Sequence, residues 1–324
     1  MLKLKNLLLL AVCAVLPFAM PLAADDTEAE PNPETEESRL PEYRIYQLPC
    51  GNEVGDAYLF ASPDGKFFLL DGGHQKNYLR TLKPEFERLG VTRLESIIIS
   101  HWHDDHIYAV FELLKDMENS QIEVGQILWQ DEISWEAFEA DEPKWFKGNQ
   151  ILVWNFKAEA KKRGVPIRAV KNGTKIDLGG GAYGEVLWGN DLEHAGRNYM
   201  NNQSMLMKFH YGKNTVLFTG DMGFEEEYHS LRAGVDFKAD VLKAPHHGGG
   251  GSNSYVLLKG CAPKFAIISQ PKEILELSGV IDANKRFAAC GIPIFPAWQY
   301  PRLYLSTDGV DIFPCQDGEN LLKK

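Results

Sequence analysis

The chain of 324 residues has little of what would place it in several common classes. It has five cysteines and no C-x-x-C pair, which excludes a thiolate zinc module. No G-x-S-x-G occurs, so there is no serine-hydrolase nucleophile elbow, and no cysteine has a neighbouring histidine to activate it. The glycine runs 179–181 and 248–251 lack the strand, helix and lysine context of phosphate cradles and read as turns. Beyond the first residues, no apolar run is long enough to span a bilayer. Positive charge is also short: 34 Lys+Arg face 45 Asp+Glu, a net charge of −11. Leaving out Lys3 and Lys5 makes it −13, and leaving out the seven acids of Asp25–Ser38 as well brings the rest to −6. An acidic core disfavours nucleic acid as partner, because affinity for a phosphate backbone comes from lysine and arginine.

What is present begins with Lys3 and Lys5, the apolar run Leu7–Leu16 and small residues up to Ala23-Ala24. This is the layout of a secretory signal peptide over residues 1–24. Val12 is too large for a lipoprotein site at Cys13, so a lipid anchor is not expected. The mature protein is expected to be exported, periplasmic or extracellular, without a stable membrane span. Residues 25–42 read as an acidic, disordered tether, since they offer almost nothing apolar to bury. Residues 43–324 form the folded domain. In an oxidising compartment Cys50, Cys261, Cys290 and Cys315 would supply one or two disulfides, of unreadable pairing.

Along the domain, "DAYLFAS" and "KFFLLD" flank Pro63-Asp64-Gly65 as a hairpin. Asn77–Leu89 is helical and stops at Gly90. "RLESIIIS" is a buried strand, with a helix over Ile107–Met117. Gln121–Gln130 reads as a strand, Ile151–Arg163 as a helix, and "GVPIRAV" as a strand. From Lys175 strands dominate, through "KIDLGGGAYGEVLWG", "SMLMKFHYG", "NTVLFTGD", "DVLKAPHH" and "KFAIISQ", with a short helix over Glu225–Leu231. "RLYLSTDGVDIFP" closes as a hairpin. Two similar halves of strands and helices predict an α/β fold of two packed sheets with helices outside.

Straight after Ile97-Ile98-Ile99 comes "SHWHDDH". Where a strand leaves its sheet, alternate side chains point the same way. His101 and His103 can therefore reach one ion, and Asp105 and His106 a second. "VLFTGDM" ends a strand on Asp221, "DVLKAPHHGG" ends one on His246 and His247, and "LLDGG" ends one on Asp71. A single histidine reads as an ordinary core or surface residue. Five of nine histidines in two tight clusters at strand ends read as metal ligands. Imidazole with carboxylate and no thiolate suits a hydrolytic zinc site.

H-x-H-x-D-H at 101–106, the later Asp221 and the later His247 resemble the metallo-β-lactamase superfamily. The opening "YQLPCGNEVGDAYLF", then "NNQS", "LFTGD" and "VLKAPHHGGGGS", resemble most the branch that contains the hydrolase domain of the competence DNA-uptake channel and a bacterial phosphorylcholine esterase. The resemblance covers roughly residues 43–312. It implies a four-layer αββα sandwich with two Zn2+ at one edge, Mn2+ or Fe being alternatives. His101 and His103 would hold the first ion, Asp105, His106 and His247 the second, and Asp221 would bridge them. His246 would either replace His247 or donate to a substrate oxygen, the reading preferred here. Asp71, Asn201 and Ser204 would support the ligands from behind. Three departures stand out. "NNQS" occupies the place of a usual metal histidine, for which His194 or His210 are the available substitutes. Tyr108-Ala109 replaces a glycine pair, narrowing the space beside the metals. Finally, four glycines displace Ser252 from a phosphate-facing position.

Two neighbouring cations lower the pKa of a shared water from about 15.7 to about 7, which supplies hydroxide for attack. Asp105 would orient that water. The expected activity is that of an exported, metal-dependent phosphodiesterase or phosphoesterase acting on a small molecule or envelope polymer. A secreted nuclease, a lactam or lactone hydrolase and a non-catalytic metal-binding scaffold are the alternatives. Residues 129–154, with Trp129, Trp135, Trp145 and Trp154, read as an insertion. Its aromatics either pack onto the core or form a platform for a sugar or quaternary ammonium.

Overall fold

The computed structural model describes residues 38–50, 53–130, 134–189 and 198–323. The signal-peptide segment and most of the tether lie outside these residues, as does His194. Ser38–Lys324 is one compact unit.

The first half opens as an antiparallel meander of β1 (Tyr43–Gln47), β2 (Tyr58–Ala61) and β3 (Phe67–Leu70), turning at Gly65 with φ +78°. α1 (Lys83–Leu89) stops at Gly90, whose left-handed φ of 70° favours a residue without Cβ. β4 (Arg93–Leu94) and β5 (Ser96–Ile98) lead to α2 (Asp104–Ser120). This helix starts earlier than Ile107 because Asp104 and Asp105 suit its positive N-terminal end. The strand expected over Gln121–Gln130 is broken into β6 (Glu123–Val124) and β7 (Ile127–Trp129). At Gly125 between them the Glu95 carbonyl comes so close that a Cβ would lie 2.5 Å from its oxygen. α3 (Trp135–Asp141), α4 (Pro143–Lys162) and β8 (Ile167–Ala169) complete this half. α4 begins well before Ile151, so most of the tryptophan-rich insertion is a helical hairpin with Pro143 opening the second helix.

The second half runs through β9 (Lys175–Asp177), β10 (Tyr183–Trp188), α5 (Tyr199–Asn202), β11 (Leu206–Tyr211) and β12 (Asn214–Phe218). α6 (Phe224–Arg232), β13 (Val241–Lys243), α7 (Tyr255–Cys261), β14 (Phe265–Ile268), α8 (Ser278–Ala289) and β15 (Ile294–Pro296) follow. β16 (Tyr304–Thr307), β17 (Ile312–Gln316) and β18 (Glu319–Asn320) return to the first sheet.

Among the described residues, the largest sheet has the order β18-β17-β16-β1-β2-β3-β5-β7-β8 and the second β15-β14-β13-β12-β11-β10-β9, while β4 and β6 pair as a small third. Strand alternation builds three apolar layers from them. Ile98, Tyr58 and Phe60 face Phe209 and Phe218 of the opposite sheet. Ile97, Ile99 and Leu69 face Val110 and Leu113 of α2 and Phe156 of α4. Leu217, Leu242 and Ile268 face Leu257 of α7 and Phe287 of α8. Helix, sheet, sheet, helix is the four-layer sandwich that the sequence implied.

Two expectations need correction. The chain joins the fold before Tyr43: Arg39 pairs with Asp308 and Asp311, and Leu40 donates its N–H to the Asp308 carbonyl at 2.7 Å. The end of the acidic segment is thus anchored by opposite charge on the β16–β17 hairpin. Cys50, Cys261, Cys290 and Cys315 are all free thiols. They belong to separate regions, with Cys50 beside Gly55, Cys261 closing α7 and Cys315 on β17.

Candidate metal centre

Parallel pairing sets the site. β3 with β5, and β12 with β13, run in the same direction, so their C-terminal ends lie at one edge of each sheet. Those ends carry Asp71, the 100–106 turn, Asp221 and the 246–247 turn. Tight backbone shapes each exit. Asp71, His246 and His247 all have positive φ, at 56°, 51° and 51°, a conformation that costs non-glycine residues energy and recurs at functional sites. Gly220, at φ +49°, lies against Ser204, where a Cβ would come within 2.7 Å of the serine hydroxyl.

The two histidines of the pair lie together: His101 Nε2 is 3.1 Å from His103 Nδ1. The His101 ring centroid is 4.0 Å from that of His106. Beside the pair, Asp105, His106, Asp221 and His247 bring one donor atom each within 4.8 Å of one another. His247 Nε2 is 3.1 Å from Asp221 Oδ2 and 3.2 Å from Asp105 Oδ2. His106 Nε2 is 3.3 Å from Asp221 Oδ2. A divalent ion fits these residues on two counts. The set is imidazole and carboxylate, and His106 Nε2 is a buried nitrogen facing the group with no hydrogen-bond partner.

The supporting residues hold the other face of each donor. Asp71 accepts from Ser100 N at 2.8 Å and Ser100 Oγ at 2.6 Å, and lies 2.9 Å from His106 Nδ1, which orients that ring. Ser204 Oγ accepts from Asp221 N at 2.8 Å. Asn201 contributes its backbone carbonyl to Ser204 N, while its neighbour Asn202 accepts from Gly223 N through Oδ1. His247 Nδ1 lies 3.0 Å from Ser269 Oγ, which in turn bonds Asp56.

Electrostatics follow from three buried carboxylates, Asp56, Asp71 and Asp221, with the part-exposed Asp105 beside them. Burial alone would raise the Asp221 pKa, but His247, His106 and Lys243 hold it well below the carboxylate range. Burial also opposes protonation of His106 and His247, yet the aspartates around them push both well above the ordinary imidazole value. His101, by contrast, is driven down by burial and by the neighbouring His106. The Lys243 ammonium is stabilised against its burial by Asp56 and Asp221.

His246 donates its backbone N–H to the Gly220 carbonyl at 3.2 Å, and its ring lies edge-on to that of His247, the centroids being 6.0 Å apart. His210 lies outside the cluster. It stacks on Tyr183 at 4.6 Å and pairs opposite Thr215, at the end of β11 remote from the site. Tyr108 rests against His74 and Phe111, and Ala109 is buried in the helix layer. Ser252 is fully buried, its carbonyl accepting from Arg286 at 2.9 Å, so its hydroxyl is not presented to a substrate.

Asp56, Lys243 and Glu142 went unnoticed in the sequence. Glu142, at the junction of α3 and α4, places Oε2 3.4 Å from His103 Nε2 and accepts from Met200 N at 3.2 Å. Lys243 had a signal, a lysine inside an otherwise apolar strand, whereas Glu142 had none. Of the four tryptophans, Trp129 is core, edge-on to Trp102, and Trp135 packs on Phe138 and Phe146. Trp145 and Trp154 are each 55 % exposed, and the Lys144 ammonium lies 4.6 Å from the Trp145 ring centre.

The chain is similar to several known proteins. ComE operon protein 3 of Bacillus subtilis (strain 168) is 28% identical over 193 residues, 60% of this chain and 22% of that protein. The chain thus spans about a fifth of that relative's length. The metallo-beta-lactamase fold protein YhfI from Bacillus subtilis superposes with a TM-score of 0.51 at 15% identity, covering 85% of this chain and 100% of that one. A diphosphatase from the PhnP family gives a TM-score of 0.45 at 13% identity, covering 82% and 97%. Residues 50–182, which hold Asp71 and the whole 101–106 cluster, match the metallo-beta-lactamase superfamily.

Proposed function

We propose that this metal-dependent hydrolase is an exported phosphodiesterase working with two zinc ions, and that its substrates are small molecules or envelope polymers carrying a phosphoester. The observation that carries the reading is the meeting of Asp221 Oδ2 with His106 and His247, with Asp105 in the same group and the His101–His103 pair beside it. His101 and His103 would hold one ion, Asp105, His106 and His247 the other, with Asp221 shared. When bound, the ions supply a water ionised at neutral pH and a counter-charge for the phosphoryl oxygens. The protein's own groups do the rest. Asp105, its side chain part-exposed beside His247, orients the attacking water. His246 donates to a substrate oxygen. Asp71, Ser204 and Ser269 keep the ligands fixed, so little reorganisation accompanies reaction. The acidic balance of the chain favours small or cationic phosphoesters over nucleic acid.

The test is metal analysis of the purified protein followed by hydrolysis of bis-p-nitrophenyl phosphate. Zinc-dependent turnover is expected, with Asp221→Ala losing bound metal and roughly 100-fold or more in kcat/KM. Turnover of DNA or nitrocefin without the phosphodiester would transfer the reading to a nuclease or a lactamase. Bound metal with no turnover at all would leave a scaffold.

A further inference from the structure

Behind the metal ligands lies a second group of donors: Asp56, Asp71 and His106 bring one ligand atom each within 4.8 Å of one another. All three are at most 1 % exposed. By residue type such a group would suit a cation, and the chain brings its own. Lys243, 1 % exposed at the end of β13, forms an ion pair with Asp56 Oδ2 and donates to the Gly220 carbonyl at 2.7 Å. Its Nζ also stands 3.5 Å from Asp221 Oδ1. The other Asp221 oxygen, Oδ2, is the one that meets His106 and His247. Asp56 extends the chain of contacts, since its Oδ1 accepts from Ser269 Oγ, the group beside His247 Nδ1.

We propose that Lys243 is a positioning residue: its ammonium is the resident cation of this inner chamber and engages Asp221 Oδ1, so that Asp221 faces the metals through Oδ2. This rests on the metal-centre reading above. The ammonium does two things. It opposes chelation of one ion by both Asp221 oxygens, and it keeps a metal ion out of the Asp56–Asp71–His106 group. Asp56 anchors the ammonium and ties it to the ring of His247 through Ser269.

The experiment uses the full chain loaded with cobalt(II), whose visible bands report ligand number. Lys243→Met alone strands a buried carboxylate, so the informative protein is the Asp56→Asn, Lys243→Met double variant, which removes both charges. Lys243→Gln keeps a donor for Gly220 without the charge and gives the same reading should the double variant not fold. Expected are wild-type far-ultraviolet circular dichroism, weaker visible cobalt bands from added coordination, and a kcat lower by about tenfold with KM within about twofold. In Lys243→Ala, methylammonium restores part of the lost kcat, whereas in Lys243→Met the chamber is filled and it does not. A folded variant with the wild-type cobalt spectrum and kcat overturns the proposal. Failure of the wild-type protein to take up cobalt or zinc overturns the metal-centre reading instead, so the two failures are distinguishable.

Discussion

Asp71 is the residue on which most small effects converge. It sits in a left-handed conformation at the end of β3, and its carboxylate meets Ser100 N, Ser100 Oγ and His106 Nδ1. Asp71→Ala leaves the buried Ser100 N–H without its partner and takes the carboxylate away from His106 Nδ1, which keeps only Ser100 Oγ at 3.3 Å. Chemical denaturation should show a loss of about 1–3 kcal/mol. Competition with a chelating dye should show metal affinity reduced about 10- to 100-fold. A pH dependence follows at the same scale. In the metal-free chain Asp221 and its neighbours hold protons on His106 and His247, and an incoming ion must displace them. Affinity is therefore expected to fall as pH drops from 8 to 6, with proton release visible as a buffer-dependent binding enthalpy. Asp105 and Asp221, whose pKa values are lowered, stay ionised through that window and do not contribute.

At the scale of elements, strand ends were readable because an apolar run and the polar turn after it are contiguous in sequence. The histidine pair, Asp221 and the double histidine are such local signals, and each lies where a strand stops. The helical hairpin of α3 and α4 was less readable, because its aromatics divide between core and solvent. Phe138 and Phe156 are buried, while Trp145 and Trp154 are not. What this hairpin does for the site comes from Glu142 at its corner, which faces His103 Nε2. Glu142→Ala is expected to weaken metal binding about tenfold, with Glu142→Gln, which still accepts a hydrogen bond, recovering most of it. Cobalt titration of the two variants checks this. Equal losses in both would point to a purely structural role for the corner.

Across the whole molecule, the donors come from both halves of the sandwich. Asp105 and His106 follow β5 of one sheet, and Asp221 and His247 follow β12 and β13 of the other. Bound ions would therefore hold the halves together as well as neutralise buried carboxylates. At a free metal concentration 1,000 times Kd, binding adds about 4 kcal/mol to stability. Removing metal with a chelator should accordingly lower the thermal midpoint by on the order of 10 °C, at about 2–4 °C per kcal/mol. Scanning calorimetry with and without zinc measures it, and no shift would mean that the ions contribute nothing to stability. Among the described residues, no helix is long and apolar enough to cross a membrane.

Residue order alone settled the chemistry of the donors and their places at strand ends, because hydrophobic periodicity and turn residues act over a few neighbours. Only the folded chain decided which donors meet. Asp56 and Lys243 are 187 positions apart in number, and Glu142 lies 39 beyond His103; packing, which has no local signature, brings them together. The ammonium between Asp56 and Asp221 exists because two sheet edges close over it, excluding the water that would otherwise solvate both charges.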